Sequence, residues 1–218
     1  DDGDGVADGS DAFPLDPSQS NSVPTISISS PVSVSEGLTA VTSVTVSDAD
    51  GDSLTLSLAG TDSGAFSLNQ TTGAISFSSA PDFENPSDSD SNNEYQITIS
   101  VSDGTDSASE SVVINVINVN EAPSITAINS SSPESGFNEV SVAEAQRSAF
   151  SVTATDPDSD ALSFTLSGAD SDLFSVSSSG VVTFDSAPDY EVPTDSDGDG
   201  VYVVTLTASD GSLSDSVA

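Results

Sequence analysis

Asp48-Ala-Asp50-Gly-Asp52 offers Asp48 and Asp50 as an Asp-x-Asp pair leaving a strand, and Asp156-Pro-Asp158-Ser-Asp160 repeats the pattern 108 positions later. Alternate acids in a turn bring several hard oxygens to one point. That donor set suits calcium, which takes about six to eight oxygen ligands, better than zinc, which prefers nitrogen and sulfur. The start of the chain has the same texture. Asp2, Asp4, Asp8 and Asp11 fit positions 3, 5, 9 and 12 of a twelve-residue calcium loop, Gly5 fits its sharp turn, and the Val6 carbonyl fits position 7. Position 1 would precede the first residue, so the chain reads as a piece of something longer.

Further acids repeat at nearly the same interval. Pro81-Asp82-Phe-Glu84 returns as Pro188-Asp189-Tyr-Glu191, and Ser102-Asp103-Gly104 as Ser209-Asp210-Gly211. A period of about 107 residues means tandem whole domains, not a solenoid of small repeats. Outward strand positions are mostly Ser, Thr and Gln, while Asp gathers at strand ends and in loops. Carboxylates clustered at the end of a domain repel one another unless a cation sits among them.

The rest of the composition narrows the function. The 218 residues carry 36 acids and a single base, Arg147, for a net charge of −35. Nucleic acids and anionic membrane surfaces require clustered Lys and Arg, so neither is an expected partner. Without His, Cys or Lys the common catalytic bases and nucleophiles are missing. Paired carboxylates can hydrolyse glycosides, but here nearly every pair fits a metal-ligand spacing and there is no Trp to seat a sugar. The chain is read as a non-enzyme, with Arg147 as a surface ion-pair partner. No disulfide is possible, which leaves a metal as the available crosslink for an extracellular fold.

Short alternating segments must position these acids. Tyr95, Ile97, Ile99 and Val101 alternate with polar residues, and Tyr202, Val204, Leu206 and Ala208 form their counterpart. Other strands are predicted at 25–28, 44–46, 54–58, 65–68, 74–77 and 112–116, and again at 124–127, 150–152, 162–166, 173–176 and 181–184. No segment has a helical period. About seven short strands per roughly 100 residues predict two all-β, antiparallel Greek-key sandwiches after the Asp-rich loop segment. The predicted boundaries are 1–21 for the loop segment, 22–121 for the first sandwich and 122–218 for the second, whose last strand reads as cut short.

The segment at 1–21, with Ala12-Phe-Pro-Leu-Asp-Pro17, resembles a thrombospondin type 3 calcium repeat. Both sandwiches resemble cadherin-type repeats of the bacterial cadherin-like variety. The motifs are an early Glu (Glu36, Glu144), Asp-x-Asp (Asp48/Asp50, Asp156/Asp158), Asp-x-Glu (Asp82/Glu84, Asp189/Glu191), a late Asp (Asp103, Asp210) and the linker Asn118-Val-Asn-Glu-Ala-Pro123. The linker has Asn118 and Glu121 where the family has Asp. This resemblance implies two or three calcium ions held by Glu36, Asp82 and Glu84, by Asn120, Glu121 and the carbonyls of Val119 and Ala122, and by Asp156, Asp158 and Asp210. At the upper end of the first sandwich, Asp48, Asp50 and Asp103 face Ser20-Asn-Ser-Val-Pro24, which is poor in acids, and calcium or a solvated turn both remain open. Glu144, Asp189 and Glu191 read as half of a site. The Asp195, Asp197 and Asp199 loop reads as solvated.

The function expected is that of a calcium-rigidified adhesion or spacer segment in a larger secreted or cell-surface protein, with neighbouring domains as partners. The alternatives are a calcium-dependent carbohydrate- or protein-binding module, or a filament subunit that exchanges strands. Phe and Tyr fall mostly at inward strand positions, which favours the first reading.

Overall fold

The computed structural model describes residue 10, residues 21–129 and residues 139–218. Two compact units divide the chain, Asp1–Val119 and Asn120–Ala218. The fold is all-β, with only two short 3-10 turns among the described residues.

In unit 1 the strands are β1 (Thr25–Ser27), β2 (Val32–Ser35), β3 (Ala40–Ser43), β4 (Thr45–Ser47), β5 (Thr55–Ala59), β6 (Phe66–Leu68), β7 (Ala74–Phe77), β8 (Glu94–Ser102) and β9 (Ser107–Ile117). One sheet has the order β2-β9-β8-β5; the remaining strands form β3-β7-β6 and the pair β1-β4. The strict alternation of β8 buries Tyr95, Ile97, Ile99 and Val101 against Val112, Ile114 and Val116 of β9 and Phe66, Ile75 and Phe77 from the other sheet. Burial of one face at period two is the pattern that a half-buried strand requires.

Unit 2 repeats the plan with β10 (Ser124–Asn129), β11 (Ser148–Thr155), β12 (Ser163–Ser167), β13 (Phe174–Val176), β14 (Val181–Phe184), β15 (Thr205–Ser209) and β16 (Ser214–Val217). Its sheets are β10-β11-β14-β13 and β12-β15-β16. The core is smaller, with Ala149, Val152, Phe174, Val182, Phe184, Leu206 and Ala208 buried.

Some details depart from the sequence expectations. The sheets are not wholly antiparallel, because β2 runs parallel to β9, pairing Val32 with Ile114. The apolar starts predicted at 65 and 173 belong to short 3-10 turns, Ser63–Ala65 and Ser171–Leu173, which enter β6 and β13. The strand predicted at 44–46 is interrupted at Val44, whose N–H bonds the Gly73 carbonyl at 3.0 Å; Val152 makes the same bond to Gly180 at 2.9 Å within continuous β11.

Candidate metal sites

Chain direction brings the Asp-rich turns to one end of each unit. Asp48 follows β4 and Asp103 follows β8; Asp156 follows β11 and Asp210 follows β15. In unit 1 the Asp48 Oδ1 accepts N–H bonds from Asp50 (2.9 Å), Gly51 (3.0 Å) and Asp52 (3.3 Å). Gly51 permits that wrap at φ +82°. The carboxylates of Asp48, Asp50 and Asp52 come within 4.8 Å of one another. Partial desolvation, and then the charges of Asp48, Asp103 and Asp50, raise Asp52 above the usual carboxylate range.

The chain entering unit 1 crosses this cluster. Asn21 donates its amide to Asp103 Oδ2 (3.0 Å) and Asp106 Oδ2 (3.1 Å), and the Ser22 N–H reaches Asp50 Oδ2 (2.7 Å). Desolvation works to raise Asp103, but the N–H groups of Thr105 and Asp106 and the Asn21 amide outweigh it and hold the group low. Unit 2 is entered the same way. The Asn120 amide meets Asp210 Oδ2 at 2.9 Å, and the Glu121 N–H meets Asp158 Oδ2 at 2.8 Å. The Asn120 amide, followed by the N–H groups of Leu213 and Ser212, holds Asp210 below its ordinary value. Asn21 and Ser22 were not legible as ligand-holding residues, since neutral donors carry no charge pattern, and Asp106 was not, since a single acid outside the repeated motifs reads as solvated. The signal available was the shared Asn in Asn21-Ser22 and Asn120-Glu121.

Each of these turns leaves one acid oxygen unsatisfied. Asp48 Oδ2 and Asp156 Oδ2 are buried and have no hydrogen-bond partner. A buried polar group without a partner costs about 1–3 kcal/mol, and more when charged. A hard cation that prefers oxygen removes that cost, so these donor sets fit calcium.

At the opposite end of unit 1, buried Glu36 accepts the Phe83 N–H on Oε2 (2.7 Å) and the Val119 N–H on Oε1 (2.7 Å). Asn118 donates its amide to Glu84 Oε1 at 3.0 Å. Carboxylate oxygens of Glu36 and Glu84 lie within 4.8 Å of each other. Asp82 caps a turn, its Oδ1 accepting the Asn85 N–H at 2.9 Å. Unit 2 gathers Glu144, Asp189 and Glu191 within the same 4.8 Å limit, and Glu144 accepts the Tyr190 N–H at 3.2 Å. The calls on Asp2, Asp4, Val6, Asp8 and Asp11 lie outside the described residues. For Ala122 no interaction of its carbonyl is described.

In the Asp195 loop, expected to be solvated, residues 196–200 are exposed and the carboxylates of Asp195, Asp197 and Asp199 come within 4.8 Å of one another. Asp195 is buried and accepts N–H bonds from Asp199 (2.9 Å) and Gly200 (3.2 Å). Arg147, expected in a surface ion pair, donates Nε to the Phe184 carbonyl at 2.9 Å and Nη2 to the Asp185 carbonyl at 2.5 Å. Tyr190 departs from the inward rule for aromatics and is 83% exposed.

Sheet order, short crossing turns and end-clustered carboxylates thus define an Ig/cadherin-like β-module with acidic end loops. Residues 21–116 match the family model described as Bacterial Ig domain. Human protocadherin-24 EC1-2 superposes with a TM-score of 0.52 at 19% identity, covering 91% of this chain and 96% of that one. Its second crystal form gives 0.56 at 21% identity, covering 89% and 92%. Drosophila N-cadherin EC1-4 gives 0.56 at 19% identity, with 90% of this chain spanning 48% of that one. These likenesses concern the fold. A comparison with curated proteins finds no match.

Proposed function

We propose that the chain is a calcium-binding adhesion or spacer segment of a larger secreted or cell-surface protein, stiffened by the ions it binds. The observation that carries this reading is the recurrence, in both units, of a buried and unpartnered carboxylate oxygen, Asp48 Oδ2 and Asp156 Oδ2, inside an otherwise hydrogen-bonded acidic turn. Those turns sit at the strand ends, on a scaffold whose outward positions are mainly uncharged. Like charges so arranged store repulsion that a divalent cation relieves. The likeness in fold to protocadherin-24 EC1-2 and N-cadherin EC1-4 supports an adhesion or spacer role, and the match to a bacterial Ig model supports an extracellular setting. Among the described residues no helix is long and apolar enough to cross a membrane.

Calorimetric melting in calcium and in chelator tests the proposal. Binding to the folded state alone adds ~2.7 kcal/mol per site once free calcium is 100-fold above Kd, so melting is expected to rise by several degrees with calcium and to fall back on chelation. X-ray scattering under the same two conditions reads the stiffening. Superimposable melting curves would overturn the reading.

A further inference from the structure

A strand at the edge of a sheet offers backbone groups that pair with another chain unless something blocks them. β5 and β12 are counterparts, each at the edge of its sheet, and only one of them is blocked. In unit 1 the Gln70 side chain closes the edge as a short strand would. Its Oε1 accepts the Leu56 N–H at 3.2 Å, and its Nε2 donates to the Leu56 carbonyl at 2.8 Å. Leu56 lies opposite Val101, and Phe164 lies opposite Ala208 in the same register. The N–H and C=O groups of Phe164 and Leu166 therefore face away from β15, as those of Leu56 face away from β8.

Unit 2 has no counterpart of Gln70. The turn at 69–73 between β6 and β7 becomes the shorter turn at 177–180 between β13 and β14. Its hydroxyls stay within the turn: Ser177 and Ser179 bond each other at 2.9 Å, and Ser177 takes the Val181 N–H at 3.1 Å. Among the described residues no side chain bonds the Phe164 backbone. Phe164 is only half-buried, where Leu56 is buried.

This open edge fits a second copy of itself. β12 is Ser163-Phe-Thr-Leu-Ser167, with no charge, no Pro and no break in its register with β15. Run antiparallel about a two-fold axis through Thr165, two copies set Phe164 of each opposite Leu166 of the other. Such a pair exchanges both N–H···O bonds, so every outward group at these positions is satisfied. Thr165 meets Thr165 on the exposed face, a favourable cross-strand pair. A chain of net charge −35 repels its own copy, and β12 lets two copies touch without setting acid against acid.

We propose that the chain self-associates through β12 as an isologous, antiparallel strand pair, and that Gln70 prevents the same event at β5. The proposal goes beyond the calcium reading and does not depend on it.

Sedimentation of the full 218-residue chain tests it, in chelator and at about 0.15 M salt, where exposed charges are screened beyond about 8 Å. The mean mass is expected to rise from monomer toward dimer with concentration. Thr165→Asp sets like charges opposite each other on the axis and is expected to weaken association by about tenfold or more. Ser57→Asp, the same change on the blocked strand, is expected to leave association as it is. Gln70→Ala is expected to carry the mass beyond dimer. Hydrogen exchange on the wild-type chain needs no variant: protection at the Phe164 and Leu166 amides is expected to grow with concentration, while that at Leu56 stays constant. A mass that remains monomeric, or Phe164 exchange that ignores concentration, overturns the proposal and leaves β12 to a strand of another protein. Equal weakening by Ser57→Asp and Thr165→Asp overturns it too, since bulk charge and not the strand edge would then govern association. Neither result bears on the calcium reading, because the measurement is made without calcium.

Discussion

Phe83 packs against the core of unit 1, whereas its counterpart Tyr190 is 83% exposed in unit 2. The carboxylates of Asp48, Asp50 and Asp52 come within 4.8 Å of one another, whereas among the described residues those of Asp156, Asp158 and Asp160 form no such group. Asp106 shares the Asn21 amide, whereas unit 2 has Leu213 at that point. Against these differences stands a skeleton that repeats closely. Phe66 and Phe77 lie 4.4 Å apart by ring centroid, and Phe174 and Phe184 lie 4.3 Å apart. The edge contacts of Phe77 with Tyr95 and of Phe184 with Tyr202 are both 5.1 Å. The comparison teaches that the aromatic cluster sets the sandwich, while the turns at its ends vary in what they can bind. Such a division follows from packing, because a core position tolerates little change in volume while a loop is free of that constraint.

The aromatic cluster gives the largest expected effect. Tyr95 is fully buried, touches both Phe rings and has its hydroxyl on the Ser87 N–H at 3.2 Å. Tyr202 keeps the same ring contacts but is only half-buried. Tyr95→Ala is expected to destabilise unit 1 by about 3–5 kcal/mol, and Tyr202→Ala to destabilise unit 2 by about 2 kcal/mol, in line with a partly buried side chain. Native-state hydrogen exchange at Ile99 and Leu206 reads the two units separately. Equal losses would show that the skeleton is more alike than its burial indicates.

A smaller and symmetrical effect is expected from two buried acids. Asp62 accepts the N–H groups of Ser89 (2.9 Å) and Gln96 (2.8 Å), and Asp170 those of Ser196 (2.7 Å) and Val203 (2.6 Å). Each ties a long loop to the strand or segment that follows it. Gly60 and Gly168 make the approach possible: a Cβ on Gly60 would lie 2.8 Å from the Ile97 Cα, and one on Gly168 would lie 2.9 Å from the Val203 carbonyl oxygen. Removing a buried charged acceptor takes away two charge-assisted hydrogen bonds, so Asp62→Ala and Asp170→Ala are each expected to cost about 2–3 kcal/mol in chelator. Clearly unequal losses in denaturant melts would break the symmetry drawn here.

These acids mark the limit of what was legible in the sequence. Strand alternation at Tyr95–Val101 was readable because one face is buried along its whole length. The parallel strand β2 was not, since its four residues hold only two apolar side chains and its partner lies some 80 positions away. The acidic turns at Asp48, Asp103, Asp156 and Asp210 showed through their spacing. Asp62 and Asp170 did not, because a lone Asp in a loop reads as solvated and its burial is decided by a distant backbone. The 108-residue recurrence of Gly60-Thr-Asp62 as Gly168-Ala-Asp170 was the signal that could have found them. Asp52 was visible as an acid, but its convergence depends on how the backbone closes on Asp48, through the N–H groups of Asp50, Gly51 and Asp52.

The smallest expected effect concerns a second pair of turns and their response to acid. Burial works to raise Asp88, but the N–H groups of Asn92 and Asn93 and a hydrogen bond with Asp90 hold it low. Asp90 is raised, first by that hydrogen bond with Asp88, then by desolvation and the charges of Asp88 and Asp62. In unit 2 Asp195 is likewise lowered, and Asp197 is raised by its bond with Asp195 and then by the charge of Asp199, which replaces Asn92. The signs are opposite within each pair. A raised carboxyl is less favourable folded than unfolded when ionised, so acidification from neutrality through its folded pKa first stabilises the fold. A lowered carboxylate contributes stability that is present above its unfolded pKa of about 3.9 and is lost as pH falls from there through its folded value. Stability measured in chelator is therefore expected to pass through a shallow maximum below neutral pH and then decline. Asp90→Asn and Asp197→Asn are each expected to remove part of the rise and leave the decline. Asp197→Asn has the larger effect, because Asp199 adds repulsion that Asn92 does not. Denaturant melts between pH 3 and 7 check this, and a steeper rise in either variant would show that Asp90 and Asp197 are not the carboxyls behind the rise.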